Sequence, residues 1–174
     1  GMQIEVTLNY SDWWPNAGTQ EIPSSWRSEI EGLTEEESVA KLEELIYDYT
    51  KYIMKKLADQ GTTPEFISLG NEMQNGILYP YGSAANFENL AKFLNAGYRA
   101  VKEVSTNTAV AVHLDMAGNT SKYVKFLDNC EKYGVNYDVI GSSYYPFWTN
   151  KTVEEIIPWF NDLGEKYQKP ILIL

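Results

Sequence analysis

Short apolar runs alternate along this chain with longer segments of helical periodicity. Each run has the length of one strand, and the segments between them are long enough to hold a helix. Strands that alternate with helices in this way predict βαβ units and a parallel sheet, which makes the chain an α/β protein. The five predicted strands are Gln3–Tyr10, Phe66–Glu72, Ala109–Leu114, Asp138–Tyr144 and Ile171–Leu174.

Local signals predict where the helices begin and end. Thr34 followed by Glu37 is the pattern of a capping box, and apolar residues recur behind it at spacings of three and four until Gly61. Thr152 with Glu155 repeats this signal, but Pro158 then predicts a kink or a later start of that helix. Two further helices are predicted at 86–104 and 121–133.

The length limits how much of an α/β fold the chain holds. Its 174 residues suffice for one packed domain, and we find no linker or repeat that would divide residues 1–174. A complete eight-stranded α/β barrel needs roughly 250 residues. We therefore expect a single, incomplete barrel of about five parallel strands with intervening helices.

Charge and hydropathy exclude some partners. The formal charge of −10 disfavours nucleic acid, because phosphate binding requires clustered Lys and Arg. We expect no membrane partner, since no apolar run reaches about 18 residues. We also find no secretory leader. The thirteen Tyr and five Trp slightly favour a carbohydrate ligand, since aromatic rings stack on sugars as well as filling cores.

Polar and aromatic side chains follow four of the five predicted strands. Because the carboxyl ends of parallel strands meet at one edge, these groups are expected to share a site. Trp13 and Trp14 extend the first group into a long loop, which is typical of functional loops. The other candidates are Tyr10, Asp12, Asn71, Glu72, His113, Asp115, Tyr144, Tyr145 and Trp148.

Glu72 is the candidate for the central chemistry. Glycoside hydrolysis requires a carboxylic acid that protonates the leaving oxygen and a second carboxylate. Partial burial at a strand end helps such an acid to keep its proton. Asn71 is expected to donate a hydrogen bond to a sugar hydroxyl, and we assign His113 to positioning substrate. His113 and Asp115 are too few ligands for a tetrahedral metal site, so we expect neither metal nor cofactor.

Several ordered blocks together resemble the family 53 glycoside hydrolases, the endo-β-1,4-galactanases. They run along essentially the whole chain and are far more specific than the Asn-Glu pair alone. The blocks are Leu8–Trp14, Gln20 with Pro23 and Trp26, Leu69–Met73, Gly76–Pro80, Val112–Asp115 and Asp138–Trp148.

The resemblance implies a (β/α)8 TIM barrel and a retaining mechanism on β-1,4-galactan or arabinogalactan, the galactan side chains of pectin. It implies that Glu72 is the acid/base and that the strands here are the third to the seventh. The nucleophile of the family is a Glu directly after a run like Ile171–Leu174. We therefore expect a fragment that is inactive by itself, from a parent that is secreted, periplasmic or at the cell surface.

Two other interpretations stay open at this stage. The chain is alternatively a non-catalytic glycan-binding module that uses Trp13, Trp14, Tyr144 and Trp148 as platforms. A third interpretation is a different β-glycanase of the same barrel clan. In each case a five-stranded arc leaves an apolar face and two strand edges uncovered, from which we expect a dimer.

Overall fold

The computed structural model describes all 174 residues and contains seven strands and six helices. The strands are β1 (Glu5–Thr7), β2 (Phe66–Ser68), β3 (Gly76–Ile77), β4 (Gly82–Ser83), β5 (Ala109–Leu114), β6 (Val139–Ser142) and β7 (Ile171–Ile173). The helices are α1 (Ser24–Ile30), α2 (Glu35–Asp59), α3 (Phe87–Val104), α4 (Thr120–Lys132), α5 (Pro146–Thr149) and α6 (Val153–Tyr167). No helix is both long and apolar enough to cross a membrane.

Five of the strands form one parallel sheet in the order β1-β2-β5-β6-β7. Every neighbouring pair in this sheet is parallel, and each strand lies beside the next one along the chain. Strands that are added in sequence order on one side, each after a helical crossover, build the wall of an α/β barrel. The prediction of five parallel strands with intervening helices is confirmed.

The two faces of the sheet differ because side chains alternate along each strand. Ile67, Val110 and Ile140 belong to the main hydrophobic core, which they share with the helices, and the partly buried Val6 packs against it. Between them lie residues of the opposite face, such as Ala111 and His113 in β5. This second face is the one that lines the interior of a complete barrel.

Capping residues explain two of the helix starts. The Thr34 side chain accepts a hydrogen bond from the Glu37 N–H, while the Glu37 carboxylate accepts from the Thr34 N–H. Thr152 and Glu155 form the same reciprocal pair in front of α6. That helix begins at Val153 and continues through Pro158, so the predicted later start is wrong. Pro158 is the sixth residue of α6, so the helix lacks only the one backbone hydrogen bond that a residue with an N–H would donate to the Glu154 carbonyl.

Three elements lie where the sequence indicated only loops. Helix α1 occupies part of the first long connection, β3 and β4 form a small antiparallel hairpin after β2, and α5 follows β6. All three are short, so they carry too few residues for a periodic pattern. Each of them lies in a connection at the carboxyl end of the sheet and shapes the surface there.

Candidate functional site

A cleft of about 770 Å³ opens at the carboxyl ends of the strands. Two of its walls come from the segments after β5 and β6, and the loop after β2 contributes a single carboxylate, Glu72. The cleft contains only one other acidic side chain, Asp115. Its lining residues are Glu72, Asp115, Met116, Ala117, Gly118, Asn119, Thr120, Ser121, Ser143, Tyr145, Trp148, Thr149 and Lys151.

The backbone at Glu72 is held in an unusual conformation. Its φ of 49° and ψ of 52° are left-handed, a region that residues other than glycine seldom occupy. Met116, on the wall after β5, also has a positive φ, of 57°. Such conformations cost free energy and cluster at functional sites. Strand β2 ends at Ser68, and the left-handed turn at Glu72 brings the carboxyl group into the cleft.

A short hydrogen-bond chain reaches Glu72 from the sheet. The Ser143 hydroxyl donates to Glu72 Oε1 over 3.0 Å, and the Ser143 Oγ itself lies 2.8 Å from His113 Nε2. His113 belongs to β5, and Ser143 directly follows β6. The side chain of His113 is 4% exposed, and burial lowers its pKa to about 4. The imidazole is therefore neutral at pH 7 and touches the cleft only through Ser143.

Asp115 is the second acid in the cleft, and its surroundings favour the protonated form. Burial and the nearby Glu72 carboxylate raise its pKa, while Lys122 acts in the opposite direction. Its backbone N–H donates to Gln74 Oε1 over 3.1 Å, which ties the loop after β5 to the turn that follows Glu72. Asp115 and Glu72 are thus close enough to influence each other electrostatically.

Buried polar atoms without a hydrogen-bond partner in the protein concentrate at the carboxyl end of the sheet. Six side chains carry such an atom, and only Ser38 lies elsewhere, in α2. Buried polar groups are normally paired, so a cluster of exceptions indicates a surface adapted to binding a polar molecule. The five atoms in this region are Asn9 Oδ1, Ser11 Oγ, Gln74 Nε2, His113 Nδ1 and Asp115 Oδ1.

Large aromatic side chains stand exposed around the same end of the sheet. Tyr145 is 54% exposed and Trp148 is 78% exposed, and both line the cleft. Trp13 and Trp14 are exposed as well, but they lie on the loop after β1 and are not part of the cleft wall. Exposed rings beside a polar cleft suit the stacking of sugar faces.

Tyr10 and Tyr144 were predicted to contact substrate; neither lines the cleft, both make contacts within the protein, and their predicted sugar contacts stay predictions. The Tyr10 hydroxyl lies 2.7 Å from Thr50 Oγ1 in α2, and its ring is 5% exposed. The Tyr144 ring packs against Phe160 in α6, and its hydroxyl donates to the Lys151 carbonyl. Strand alternation is the physical reason, because both rings continue the face that packs on the helices.

Asn71 and Asp12 are committed to local contacts within the protein. The Asn71 amide donates to the Pro15 carbonyl over 2.8 Å, so it joins the loops after β1 and β2. The Asp12 carboxylate accepts from the Ser24 N–H at the start of α1, and this bond lowers its pKa. Neither residue lines the cleft, and their predicted sugar contacts stay predictions.

Several cleft residues were not among the sequence-predicted candidates. Ser143 directly follows β6 and lies on the same face as His113, so alternation along β6 would have indicated it. Met116, Asn119 and Lys151 lie in loops that show no periodic signal. Only the three-dimensional structure brings these residues to the cleft.

Comparison with known proteins identifies the family. The chain belongs to glycosyl hydrolase family 53, whose model matches residues 1–174. It is 30% identical over 181 residues to an arabinogalactan endo-β-1,4-galactanase A of Emericella nidulans, covering 100% of this chain and 49% of that protein. An endo-β-1,4-galactanase of Bacillus subtilis is 29% identical, with 99% and 37% of the two chains covered.

Solved structures show the same relationship in three dimensions. The family 53 catalytic domain from Ignisphaera aggregans superposes with a TM-score of 0.88 at 32% identity, covering 99% of this chain and 45% of that one. A fungal β-1,4-galactanase superposes with a TM-score of 0.87 at 25% identity, covering 100% and 52%. The chain spans about half the length of the curated relatives it matches, and its five parallel strands form a curled half of the TIM barrel.

Proposed function

We propose that this chain contributes the acid/base side of a retaining endo-β-1,4-galactanase. The observation that carries the proposal is the Glu72 carboxyl group, which a left-handed turn places in a cleft rimmed by exposed aromatic rings. Relatives named as endo-β-1,4-galactanases support galactan as the substrate. In its protonated form, Glu72 would deliver a proton to the glycosidic oxygen as the bond to the sugar breaks.

Retention also requires a carboxylate nucleophile, which in such enzymes lies about 5–5.5 Å from the acid/base. Asp115 is the only other acid in the cleft, and burial together with Glu72 raises its pKa. Its Oδ1 has no hydrogen-bond partner in the protein, so we assign Asp115 to accepting a hydrogen bond from a sugar hydroxyl. We propose that the nucleophile of the whole protein follows β7, and that residues 1–174 alone do not hydrolyse galactan.

Reducing-sugar release from β-1,4-galactan tests this assignment. We expect no release by the 174-residue chain and clear release by a longer protein that continues through all eight strands. In that longer protein, Glu72→Gln should lower kcat by about 10²- to 10⁴-fold, whereas the exposed Glu36→Gln should leave it unchanged. Hydrolysis by the short chain, or full activity of Glu72→Gln, would contradict the proposal.

Substrate choice among β-glycans is a separate question. We propose galactan over other β-glycans, and comparing galactan, mannan and cellulose as substrates of the longer protein tests this choice. A preference for mannan or cellulose would indicate another glycanase of the same barrel clan.

A binding function without hydrolysis is the second candidate, and the exposed rings of the carboxyl end favour it. Trp148 is 78% exposed on the cleft rim, where a sugar face would stack on it. Binding needs no second carboxylate, so the 174-residue chain suffices for the measurement. Calorimetry with β-1,4-galacto-oligosaccharides should show binding that Trp148→Ala weakens, by contrast with Tyr52→Ala at an exposed ring of α2. A longer protein that binds galactan without cleaving it would favour this function.

Self-association is expected of the 174-residue chain on its own. The outer edges of β1 and β7 have no strand neighbour, and the residues of both strands are partly exposed. Unpaired strand edges favour pairing with another chain. We propose a dimer through these edges, and light scattering that shows a monomer at high concentration would contradict it.

A further inference from the structure

The contacts of one hydroxyl group determine the direction of the chain His113–Ser143–Glu72. A serine hydroxyl has a single proton to donate, and it can also accept hydrogen bonds. The Ser143 proton goes to Glu72 Oε1, 3.0 Å away. The 2.8 Å contact between Ser143 Oγ and His113 Nε2 must then be a bond that His113 Nε2–H donates. The neutral imidazole is therefore the Nε2–H tautomer.

The other imidazole nitrogen agrees with this direction. His113 Nδ1 is buried and has no hydrogen-bond partner in the protein. A proton on Nδ1 would be buried without an acceptor, whereas a lone pair there costs less. Two titratable side chains of α4, Lys122 and Tyr123, interact electrostatically with Glu72 or Asp115, so they are candidates for a contact with the imidazole. Neither of them is hydrogen-bonded to the imidazole.

The chain also distinguishes the two oxygens of the Glu72 carboxyl group. Oε1 receives the Ser143 proton, whereas no protein group is hydrogen-bonded to Oε2. In the acid form, Oε2 is therefore the oxygen that carries the proton, because Oε1 already faces a donor. A fixed carboxyl orientation of this kind is what general acid catalysis requires, since proton delivery depends on geometry.

We propose that Ser143 is a positioning residue, which uses the directed hydrogen bond from His113 to hold Oε1 of Glu72 and leave the proton-bearing Oε2 toward the substrate. This inference rests on the proposed function, which makes Glu72 the acid/base. It assigns neither Ser143 nor His113 a proton-transfer step. Both act through the orientation of Glu72.

Because His113 is the only histidine, its ring can be observed without interference from other residues. We would record two-bond ¹H–¹⁵N correlations of the imidazole in the 174-residue chain at pH 7. We expect the Nε2–H tautomer with a slowly exchanging proton. The matched variants are Ser143→Thr, which keeps the hydroxyl, and Ser143→Val, which has nearly the same shape without it.

The hydroxyl should decide the result of this comparison. Ser143→Thr should keep the slowly exchanging Nε2–H signal, and Ser143→Val should lose it, while the remote and exposed Ser28→Ala should match the wild type. An Nδ1–H tautomer or an imidazolium in the wild type would overturn the proposal. Equal spectra of the Thr and Val variants would overturn it as well, since they would show that the hydroxyl is not involved.

Kinetics on a longer, active protein test the link to Glu72. We expect Ser143→Val to lower kcat by about tenfold or more with little change in KM, and Ser143→Thr to stay near the wild type. Equal kcat values for the Val and Thr variants would overturn the positioning role. A longer protein without galactanase activity would instead overturn the proposed function, while the imidazole spectra would still decide the direction of the hydrogen-bond chain.

Discussion

The two ends of the parallel sheet differ in how many of their buried polar groups have a hydrogen-bond partner in the protein. At the amino end, Asp138 accepts hydrogen bonds from the Val110 N–H over 2.9 Å and from Lys102 Nζ over 2.8 Å. Thr108, which precedes β5, donates to the Pro64 carbonyl over 2.7 Å. At the carboxyl end, by contrast, Ser11 and Asp115 carry buried atoms without a protein partner. Buried polar atoms without a partner are therefore found at the carboxyl end of the sheet, alongside satisfied pairs such as Ser143 and Glu72.

This difference separates stability from function within one sheet. Each satisfied pair at the amino end contributes to the free energy of unfolding. The unpartnered atoms and the left-handed backbone of Glu72 cost free energy that folding alone does not explain. In α/β barrels the carboxyl end is where sites are built, so substitutions at the two ends should differ in kind.

The largest effect on stability is expected from Asp138→Ala at the amino end. Burial works to raise the pKa of Asp138, but Lys102 and the Val110 N–H outweigh it and hold the pKa below its ordinary value. Removing the carboxylate leaves the Val110 N–H without its acceptor and removes the ion pair, although Lys102 Nζ keeps its hydrogen bond to the Thr108 carbonyl. We expect a loss of roughly 2–3 kcal/mol in the free energy of unfolding by urea denaturation.

The Asp138→Asn variant sharpens this measurement. It keeps an acceptor for the Val110 N–H and loses only the ion pair, so its loss should be about half as large. A loss below about 0.5 kcal/mol for Asp138→Ala would show that the amino end does not carry the stability assigned to it.

His113 makes the carboxyl end sensitive to pH. Its folded-state pKa of about 4 lies below the ordinary value of 6.5, so the unfolded chain takes up the proton first as the pH falls. The contribution of neutral His113 to the free energy of unfolding is fully present above about pH 6.5 and decreases toward pH 4. Between pH 7 and pH 5, the titration of His113 should lower the free energy of unfolding by about 2 kcal/mol.

Urea denaturation of the wild type and of His113→Gln at both pH values isolates this contribution. Glutamine retains a donor for Ser143 but does not titrate, so the variant should lose less stability between pH 7 and pH 5. The raised pKa of Asp115 acts in the opposite direction, but it is present in both proteins and cancels in the comparison. Equal losses in the two proteins would contradict a neutral, buried His113.

The sequence predicted the architecture well because the core repeats one simple pattern. Strand β5 was predicted at Ala109–Leu114 and lies there, since a strand covered on both sides is a continuous apolar run. Boundaries at the carboxyl end were less accurate: the second strand was predicted to reach Glu72, but β2 ends at Ser68. Gly70 has a φ of 116° and Glu72 a φ of 49°, so the backbone leaves the extended conformation before the predicted end of the strand.

The candidate site was predictable in its centre and less so at its edges. Glu72, Asp115, Tyr145 and Trp148 do share one cleft, because parallel strands bring their carboxyl ends together. Tyr10 lies outside the cleft, and Val6 and Leu8 already show that its face of β1 packs on the helices. Applying alternation beyond the strand end would have indicated its burial. The lining residues from irregular loops had no such signal.

A smaller effect is expected at Thr108, again at the amino end. Thr108→Val preserves the shape of this buried side chain, which is 1% exposed, and removes its donation to the Pro64 carbonyl. We expect a loss of about 1–1.5 kcal/mol in urea denaturation. An unchanged free energy of unfolding would indicate that the amino-end pairs are not net stabilising.

The smallest effect is expected at Ser11, which is the carboxyl-end counterpart of Thr108. Its Oγ is buried and has no protein partner, so Ser11→Ala removes a hydroxyl without breaking a hydrogen bond. The free energy of unfolding should change by less than about 0.5 kcal/mol, and a small gain is physically reasonable because a polar group leaves an unpaired position. A loss as large as that of Thr108→Val would mean that the two ends contribute equally to stability, and the distinction between a stabilising end and a functional end would then fail.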